Sequence, residues 1–484
     1  SGGKRMSSQS VLVIGGGLAG LACAVALAES GIKVRLFEKR PHLGGRATSY
    51  TLPDGSEVDN CQHVTLGCCT NLADFYRRAG ADGKIRFYDR LYFADRAGRR
   101  STIAASMLPP PLHMAPSFGG FGALGLGDKI GIAKALMAIA RAGGRPPDID
   151  GLTMLDWLHR TRQTPDAIER FWRVVLVSAL DEELSRMDAR YGIDVFWKAF
   201  LGSRGGYRVG IPSVPLAELY EGCRDAVVRK GGEVRLRCGV REIRVRENSF
   251  AGATLEDGAE ISADACVAAV PHDVLLGLLP VAMGEEGGML AGLRHLRTSP
   301  ITGVHLWFDR AVMKEPFLAL LDNTTQWIFN KSLLYARAET NGDAPSRGQY
   351  LQLVISASYD LVPRSRQDII DLCRRELADV LPATRDAKLE KATVIKEVHA
   401  TFSPEPGVDQ WRPAQKTAIE GLFLAGDWTR TGWPSTMEGA VRSGYLAAEE
   451  TLSSLGEPRK FLQADLAFEG LSKIWAKRMQ ASFS

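Results

Sequence analysis

The stretch VLVIGGGLAGLACAVALAESGIKVRLFEKRPHLGGR, residues 11–46, decides the fold of this chain. Its first four residues are apolar and predict a buried strand, and the alanine-rich run from Leu21 to Glu29 predicts a helix. A second strand is predicted from Lys33 to Phe37, and Glu38 follows it directly. Strand, glycine-rich turn, helix and strand in this order predict a parallel βαβ unit.

The glycines Gly15, Gly17 and Gly20 have the spacing GxGxxG. The first allows a tight turn, the second lets the backbone approach a pyrophosphate, and the third lets the helix pack closely on the strand. The helix that starts near Leu18 and Ala19 offers free N–H groups and the positive end of its dipole to phosphates. The motif therefore predicts dinucleotide binding, and a βαβ unit that binds nothing is the alternative.

Glu38 and the residues after it extend this motif. Glu38 lies 18 residues beyond Gly20, near the distance of about 20 residues at which a carboxylate accepts hydrogen bonds from a ribose. Gly44, Gly45 and Arg46 then offer flexible backbone and a guanidinium to the same pyrophosphate. This segment resembles the "acid … GGR" extension of the amine oxidase and phytoene desaturase superfamily of FAD enzymes. The resemblance implies FAD as the cofactor and places Lys39, next to the acid, among its contacts.

Composition excludes several classes of protein. The 484 residues suffice for two or three domains, and 45% apolar and 24% charged residues are ordinary for a globular chain. A net charge of +4 is too small to argue for nucleic acid as a partner. The eight cysteines form no CxxC pair and no metal-binding spacing with histidine, which predicts reduced thiols in a cytoplasmic protein and no metal site. The sequence contains no apolar run of 18 residues, so a membrane-spanning helix is not predicted. The polar segment 1–10 is expected to lie outside the fold.

The segment YTLPDGSEVD, residues 50–59, predicts a hairpin, which brings the next residues, including Gln62 and His63, to a point just past the glycine-rich turn. Both are candidate neighbours of the flavin. A histidine whose hydrogen bonds are satisfied inside a buried loop is the alternative for His63.

Residues 103–144 are apolar, rich in glycine, proline and methionine, and contain Asp128 as their single carboxylate. A helix is predicted from Ile130 to Ala142, with apolar faces and a basic edge. Apolar and basic residues without acids are typical of a surface that lies among lipid headgroups, whereas a buried helix with a solvated lysine edge is the alternative. The basic amphipathic segment 457–484 is a second candidate for membrane contact or for a docking helix. Together they predict a peripheral protein at the inner face of the cell membrane.

Two later segments are similar to the remaining parts of the superfamily's FAD domain. A helix predicted from Leu216 to Arg229, a Gly-Gly turn and the strands that follow up to Val270 resemble its second part, in which the backbone at Val240 meets the adenine. The first of these strands is predicted from Glu233 to Cys238, and Val240 and Ile243 continue its alternating pattern. In residues 421–448, a buried strand ends at Gly426 and Asp427, and a helix is predicted to start at Met437 after a Ser435 or Thr436 cap. Asp427 is placed to accept from ribityl or phosphate-side hydroxyls, and the helix N-terminus would face the N1–C2=O edge of the flavin.

Three motifs resemble those of the hydroxysqualene dehydroxylases, squalene-associated FAD enzymes of hopanoid synthesis within the phytoene desaturase group. They are the segment quoted above, VDNCQH followed by Leu66-Gly67, and TGWPSTMEGAVRSG at residues 431–444. The family carries glycine at the position of Cys61, so this side chain could crowd the flavin, change the local backbone angles or form a bond to the flavin, with a tolerated small residue as the alternative.

The resemblance implies removal of an allylic hydroxyl from a C30 isoprenoid, with hydride from reduced FAD and an unidentified electron donor. Hydroxide is a poor leaving group, so an acid is needed, and His63 and Asp181 are the candidates. Trp433 is a candidate cavity wall, although core packing is an equal explanation for all three residues. The alternatives are an FAD-dependent desaturase of squalene-like or carotenoid hydrocarbons, a flavin amine oxidase, and a flavin-binding protein without catalysis.

The predicted fold class is α/β, a discontinuous Rossmann-type FAD domain with an inserted α+β substrate domain. The FAD domain is assigned to residues 10–102, 203–284 and 406–456. Residues 103–202 are assigned to a helical region for substrate or membrane contact, residues 285–405 to a sheet that covers an apolar cavity, and residues 457–484 to an amphipathic tail.

Overall fold

The computed structural model of the chain describes residues 9–336 and 348–482. Most of the segment expected to lie outside the fold, residues 1–8, is outside the described residues, whereas Ser10 already belongs to the first strand. The strands of the described residues are β1 (Ser10–Ile14), β2 (Lys33–Phe37), β3 (Ser49–Thr51), β4 (Glu57–Asp59), β5 (Thr65–Leu66), β6 (Ile85–Tyr88), β7 (Arg90–Ala94), β8 (Arg100–Ala104), β9 (Val209–Pro212), β10 (Glu233–Arg235), β11 (Val240–Arg246), β12 (Ser249–Leu255), β13 (Glu260–Ile261), β14 (Ala265–Ala268), β15 (Thr298–Phe308), β16 (Phe317–Leu320), β17 (Trp327–Asn330), β18 (Gln349–Ile355), β19 (Leu389–Phe402) and β20 (Leu422–Leu424).

Helices connect and cover these strands. The α-helices are α1 (Leu18–Glu29), α2 (Thr70–Arg78), α3 (Ala115–Gly119), α4 (Leu126–Arg141), α5 (Met154–Arg160), α6 (Pro165–Ala167), α7 (Arg173–Leu180), α8 (Ala189–Val195), α9 (Glu221–Arg229), α10 (His272–Leu278), α11 (Lys331–Leu334), α12 (Arg366–Val380), α13 (Met437–Ser454) and α14 (Gly470–Ser482). Two π-helical turns, Ile168–Trp172 and Phe196–Leu201, continue α6 and α8.

A five-stranded parallel sheet in the order β10-β2-β1-β14-β20 forms the nucleotide-binding half of the molecule. Its strands come from three separate parts of the sequence, as a discontinuous domain requires. Helices α1 and α13 pack against each other, and every residue of α1 before Glu29 is buried, which explains why its sequence shows no polar face. The predicted α/β fold is confirmed.

A seven-stranded sheet in the order β19-β15-β18-β17-β16-β7-β8 forms the second half. One face packs on α12, and Val354, Trp327 and Phe329 on its other face border cavities described below. The sequence-based boundary at residue 102 is wrong for β7 and β8, because these strands extend this sheet instead of the nucleotide-binding one. The pairing of β7 with β16, more than 200 residues away, is a long-range contact that local sequence patterns do not encode.

The predicted continuous strand from Glu233 through Val240 and Ile243 is also wrong. Arg237 adopts a left-handed conformation with φ of 52°, which ends β10 and redirects the chain. As a result β10 joins the parallel sheet, whereas β11 joins a separate antiparallel sheet with β12 and β13. The helix predicted from Leu216 to Arg229 begins with a 3₁₀ segment, Leu216–Tyr220, and becomes α-helical at Glu221.

Residues 112–201 are mainly helical, and α14 packs against α4 at their outer side. The backbone N–H of Leu471 donates to Pro110 O over 3.0 Å, which fixes the start of α14 beside the loop before α3. Among the helices of the described residues, none combines the length and the apolar character that crossing a bilayer requires.

Candidate active site and cofactor cradle

The turn between β1 and α1 is built for close approach. Gly15 has φ of +105°, and a Cβ on Gly20 would lie 2.0 Å from Gly15 O, so the helix packs on the turn only because position 20 has no side chain. By helix geometry the N–H groups of Leu18, Ala19 and Gly20 have no acceptor within α1. No side chain caps the helix, whose N-cap is Gly17. This arrangement leaves donors and a positive dipole end for an anionic ligand.

Glu38 holds this turn from the end of β2. One carboxylate oxygen accepts from the Gly16 N–H over 2.6 Å and the other from the Arg40 N–H over 2.7 Å. The segment after β10 runs beside it, because the Cys238 N–H donates to Glu38 O over 2.9 Å. Val240 starts β11 just beyond, while the exposed Lys39 side chain pairs with Glu256 over 2.8 Å. Glu38 and Lys39 thus lie at the same edge of the sheet as Val240, which is about 200 residues away in the sequence.

The second glycine pair lies directly on the first motif. Gly44 N–H donates to Gly16 O over 2.8 Å, and Gly17 and Gly44 form an isolated parallel bridge. Gly45 has φ of +62°, and a Cβ there would lie 3.0 Å from the Gly17 Cα. The two glycine segments therefore form one backbone cradle that side chains would fill.

Arg46 and Asp427, from opposite ends of the chain, form an ion pair with 2.5 Å between Nη2 and Oδ1. Arg46 also donates to Ala400 O over 2.7 Å, and the Ser435 hydroxyl donates to the second oxygen of Asp427. Burial alone would raise the pKa of the Asp427 carboxyl, but Arg46 and Ser435 lower it below its usual value. Asp427 is therefore anionic, and it fixes the position of the Arg46 guanidinium, for which the sequence predicts contact with a pyrophosphate.

The helix predicted to start at Met437 does begin there. Thr436 is the N-cap, and its hydroxyl accepts from the Gly439 N–H over 3.1 Å. Gly426 ends the buried segment after β20 and donates its N–H to the Ser443 hydroxyl over 2.8 Å. Thr436, Met437, Asp427 and Arg46 all border one cavity of about 220 Å³, which also contacts Leu18 and is called the proximal chamber here.

Gln62 and His63 border the proximal chamber through a segment fixed by a buried ion pair. The Lys331 ammonium, fully buried, contacts Asp59 Oδ2 and Gln62 Oε1, each over 2.7 Å, and the Tyr335 hydroxyl donates to the same Asp59 oxygen. Although burial raises the pKa of Asp59, Lys331 and these hydrogen bonds lower it overall. Sequence reasoning missed Lys331, because a lysine after an apolar strand gives no signal of burial.

His63 and Cys61 lie next to each other on this segment. The Nδ1 atom of His63 is 2.9 Å from Cys61 O, and burial lowers the pKa of the imidazole, so the ring is neutral near pH 7. Cys61 is not among the eight non-glycine residues with positive φ in the described chain, so the family glycine is not required here for its backbone angles. Burial raises the pKa of its thiol to about 12, which keeps it protonated and unreactive.

Asp181 reaches the same proximal chamber from the end of α7. Its carboxyl accepts from the Ala357 N–H over 2.7 Å and from the Thr401 hydroxyl over 2.9 Å. Burial and the neighbouring Glu182 raise its pKa well above the ordinary value, although these two hydrogen bonds act in the opposite direction. Asp181 and Ala357 both have left-handed backbone, with φ of 53° and 49°, and such strain concentrates at functional sites.

An apolar cavity of about 240 Å³, the distal chamber, adjoins the proximal one. The two share Gln62, Ser178, Val354 and Met437 among their walls. Most other walls are aliphatic or aromatic: Leu66, Leu72, Leu91, Phe93, Val175, Trp327, Phe329 and Trp433. Trp433, the candidate cavity wall, therefore does line this space.

Three charged side chains also border the distal chamber, namely Asp194, Lys198 and Glu438. Each has partners in the protein: the Lys198 ammonium is 3.9 Å from Asp194 and 4.7 Å from the Trp433 ring centre. The Glu438 carboxylate accepts from the Leu72 N–H and from Arg442. The chamber is therefore apolar with a few neutralised charges at its wall.

A second apolar cavity of about 140 Å³ continues the distal chamber away from the glycine turn. The two share Leu91, Phe93, Val175 and Phe200. The aromatic residues Phe171, Phe196 and Phe200 of this cavity come from the two π-helical turns, a local geometry that often marks functional sites. Together the cavities form an extended apolar space suited to a long hydrocarbon.

The residues present fit FAD. The glycine cradle and the uncapped N-terminus of α1 suit the pyrophosphate, Glu38 suits the ribose, and the proximal chamber lies between the cradle and the apolar cavities. Bound FAD would be held by these residues and would supply hydride transfer at the border of the two chambers.

Comparison with known proteins agrees with this geometry. Residues 18–452 match the family described as flavin containing amine oxidoreductase. The chain is 29% identical over 464 residues to a chloroplastic/chromoplastic 15-cis-phytoene desaturase from Solanum lycopersicum, covering 91% of this chain and 77% of the relative. It is 26% identical over 475 residues to a zeta-carotene desaturase from Synechocystis, covering 92% of this chain and 97% of the relative.

Solved structures share the fold at low identity. An oxidoreductase from Methanosarcina mazei has a TM-score of 0.69 at 17% identity, covering 90% of this chain and 98% of its own. A putrescine oxidase variant has a TM-score of 0.69 at 15% identity, covering 92% and 99%. The chain therefore belongs to the flavin containing amine oxidoreductase family, and it is an FAD-dependent oxidoreductase of the amine oxidase and carotenoid desaturase type.

Proposed function

We propose that this enzyme removes the hydroxyl group of hydroxysqualene by reduction and releases squalene, in hopanoid synthesis. The observation that carries the proposal is a buried carboxyl with a raised pKa, Asp181, at the wall of the proximal chamber next to an extended apolar space. The motifs GGGLAG, VDNCQH and TGWPSTMEGAVRSG, which resemble those of hydroxysqualene dehydroxylases, support it.

Reductive removal of a hydroxyl group requires both an acid and an apolar space. The allylic C–O bond breaks, a hydride forms the new C–H bond, and a proton combines with the departing hydroxide to give water. Since hydroxide is a poor leaving group, a general acid must donate that proton. A developing allylic cation is stabilised by aromatic faces, which Trp327, Phe329 and Trp433 offer at the distal chamber.

Asp181 is the better acid of the two candidates. Its pKa is raised well above the ordinary value by burial, which favours the protonated form that a general acid needs. The lowered pKa of His63 leaves its ring neutral, with one nitrogen already engaged by Cys61 O. We therefore assign proton donation to Asp181, and to His63 a role in shaping the proximal chamber.

A desaturase of carotenoid or squalene-like hydrocarbons is the second candidate, because the relatives named above are phytoene and zeta-carotene desaturases. The same apolar space would hold such a substrate, and hydride would move from substrate to flavin. That reaction also releases a proton, which a base must accept, and the raised pKa of Asp181 favours an acid over such a base. An amine oxidase is less well supported, since the buried Lys331 is engaged by Asp59 and Gln62 instead of bordering the chamber.

We also propose that the enzyme lies on the inner face of the cell membrane, from which an isoprenoid could enter. Exposed apolar side chains gather on adjoining elements: Met107, Leu108, Leu112, Leu126, Ile130, Leu471 and Ile474. Exposed Lys134, Arg141 and Lys473 on α4 and α14 add positive charge. Apolar and basic residues together favour binding to anionic lipid. A separate electron donor would reduce the flavin.

The test is anaerobic mixing of dithionite-reduced holoenzyme with hydroxysqualene dispersed in lipid vesicles. We expect the flavin to reoxidise and squalene to form in equal amounts. Bleaching of the oxidised enzyme by squalene or phytoene would support the desaturase instead. Hydrogen peroxide released from amines would favour the amine oxidase, and no response to any of these would indicate a flavin-binding protein without catalysis.

A further inference from the structure

A polar cleft of about 530 Å³ leads from the protein surface toward Asp181 by a route separate from the apolar cavities. Its outer walls include the exposed side chains of Arg96, Asp322 and Arg364. Its inner end is formed by the buried residues Ser356 and Ala357, which follow β18. Charged groups at the mouth and small polar groups at the inner end make this a space that water enters.

The wall between this cleft and the site is one residue thick. Ser356 borders the cleft, the proximal chamber and the distal chamber. Ala357 borders the cleft, and its N–H donates to Asp181 Oδ1 over 2.7 Å. A hydroxyl at this wall both accepts and donates hydrogen bonds, so it can pass a proton between water on its two sides.

The backbone of Ser356 is fixed, but its hydroxyl is not engaged. Gln326 accepts from the Ser356 N–H over 2.8 Å and donates to its carbonyl over 3.1 Å. The side-chain hydroxyl makes none of the hydrogen bonds found within residues 9–336 and 348–482. It is therefore available to water in the cleft or in the proximal chamber.

A second group in the cleft indicates bound water. Asn323 borders the cleft, and its Oδ1 atom is buried without a hydrogen-bond partner among the described residues. Buried polar atoms are nearly always satisfied by protein or by ordered water. Water in the cleft would satisfy this oxygen.

We propose that the polar cleft is the water path by which Asp181 exchanges its proton with solvent, with the Ser356 hydroxyl as the relay at its inner wall. The proposal rests on the assigned role of Asp181 in the proposed function. A hydrocarbon that fills the apolar cavities blocks proton movement through them, so a separate path is needed. In each dehydroxylation one proton enters by this path.

The test compares Ser356→Val with Ser356→Thr in the oxidised holoenzyme without substrate. Valine and threonine have nearly the same shape, but only threonine keeps the hydroxyl. The readout is the infrared carbonyl band of protonated Asp181, identified as the band that Asp181→Asn removes, and its rate of shift after transfer into D₂O. We expect exchange in Ser356→Val to be about tenfold slower, as for loss of one hydrogen-bonded step, and near wild type in Ser356→Thr.

Equal exchange in wild type and Ser356→Val, or no protonated Asp181 band in the wild type, overturns the proposal. The second variant is Asn323→Leu, which changes the cleft without touching Asp181 and should also slow exchange. If Ser356→Val loses its flavin, the exchange rate of Asn323→Leu tests the proposal instead. Because exchange is measured without substrate, it can slow as expected even if hydroxysqualene proves unreactive. That result would contradict the proposed function but not the proposed water path.

Discussion

Asp181 and His63 border the same chamber, but their surroundings set their protonation in opposite directions. Burial penalises the charged form of each side chain, which means the anion for a carboxyl and the cation for an imidazole. The pKa of Asp181 is therefore raised and that of His63 is lowered. Sequence reasoning named both residues but could not rank them, because burial belongs to the fold.

Asp181→Asn should lower the rate of flavin reoxidation by hydroxysqualene by about 10²- to 10⁴-fold, the usual contribution of a general acid. Asparagine keeps the size and can still accept from the Ala357 N–H, so flavin content should be unchanged. Stopped-flow absorbance of the reduced holoenzyme measures the rate. The control is Glu376→Gln, a buried carboxyl that accepts from the Thr324 and Thr325 N–H groups and borders neither chamber, and it should retain most of the rate. A wild-type rate in Asp181→Asn would remove Asp181 from the mechanism.

Asp181 should also make stability depend on pH. Its pKa is raised in the folded protein, so between about pH 4, where the unfolded carboxyl titrates, and the folded pKa the native state binds more protons than the unfolded state. Stability therefore falls as pH rises through this window, with a slope of up to about 1.4 kcal/mol per pH unit. Urea unfolding of wild type and Asp181→Asn from acid to neutral pH measures it. The variant should gain relative stability as pH rises, and parallel curves would contradict the raised pKa.

Lys331→Met should destabilise the protein by about 3–5 kcal/mol, because it leaves the buried Asp59 carboxylate without its counter-charge. The double variant Asp59→Asn with Lys331→Met removes both charges and should recover much of the loss. Urea unfolding of the single and double variants, followed by tryptophan fluorescence, measures the coupling. If the double variant is as unstable as the sum of its parts, the ion pair does not explain the effect.

At the scale of elements, the cofactor cradle depends on two backbone segments touching. The turn of residues 15–20 and the segment of residues 44–46 are joined by the bond from Gly44 N–H to Gly16 O. Helix α13 then adds its N-terminus at Met437 from the far end of the chain. No single segment forms the cradle alone.

Gly45→Ala should lower the flavin content of the purified protein severely. The new Cβ would lie 3.0 Å from the Gly17 Cα, and the backbone at φ of +62° disfavours a side chain. The flavin-to-protein absorbance ratio measures retention. Gly55→Ala is the matched control, since Gly55 has φ of +83° but no atom within 4 Å of the added Cβ, and it should keep its flavin. Equal flavin content in both variants would mean that the Gly45–Gly17 contact does not shape the cradle.

Most individual elements could be predicted, but two of their pairings could not. Strand β1, strand β2 and the start of α13 at Met437 follow from apolar runs, glycines and a threonine cap. The placement of β7 beside β16 and the break between β10 and β11 could not be predicted from the sequence. The apolar residues of a strand do not specify which other strand it pairs with.

At the scale of the whole molecule, loop 107–112, α4 and α14 place their exposed apolar residues on adjoining elements. Leu126→Glu should weaken co-sedimentation with anionic vesicles by about tenfold, because it replaces an apolar side chain that is 76% exposed with a charge. Val228→Glu is the control, on α9 and 51% exposed but outside this surface, and should bind like wild type. Equal binding of both variants, or no binding by wild type, would contradict the membrane surface.

The sequence by itself determined the cofactor and the half of the molecule that binds it. The chemistry of a pyrophosphate demands glycines, a helix N-terminus and an acid at fixed spacing, and residues 11–46 carry all of them. Tertiary structure alone decided that Lys331 neutralises Asp59, that the pKa of Asp181 is raised while that of His63 is lowered, and that β7 and β8 belong to the seven-stranded sheet. These outcomes depend on burial and on contacts between residues far apart in the chain, and local composition records neither of them.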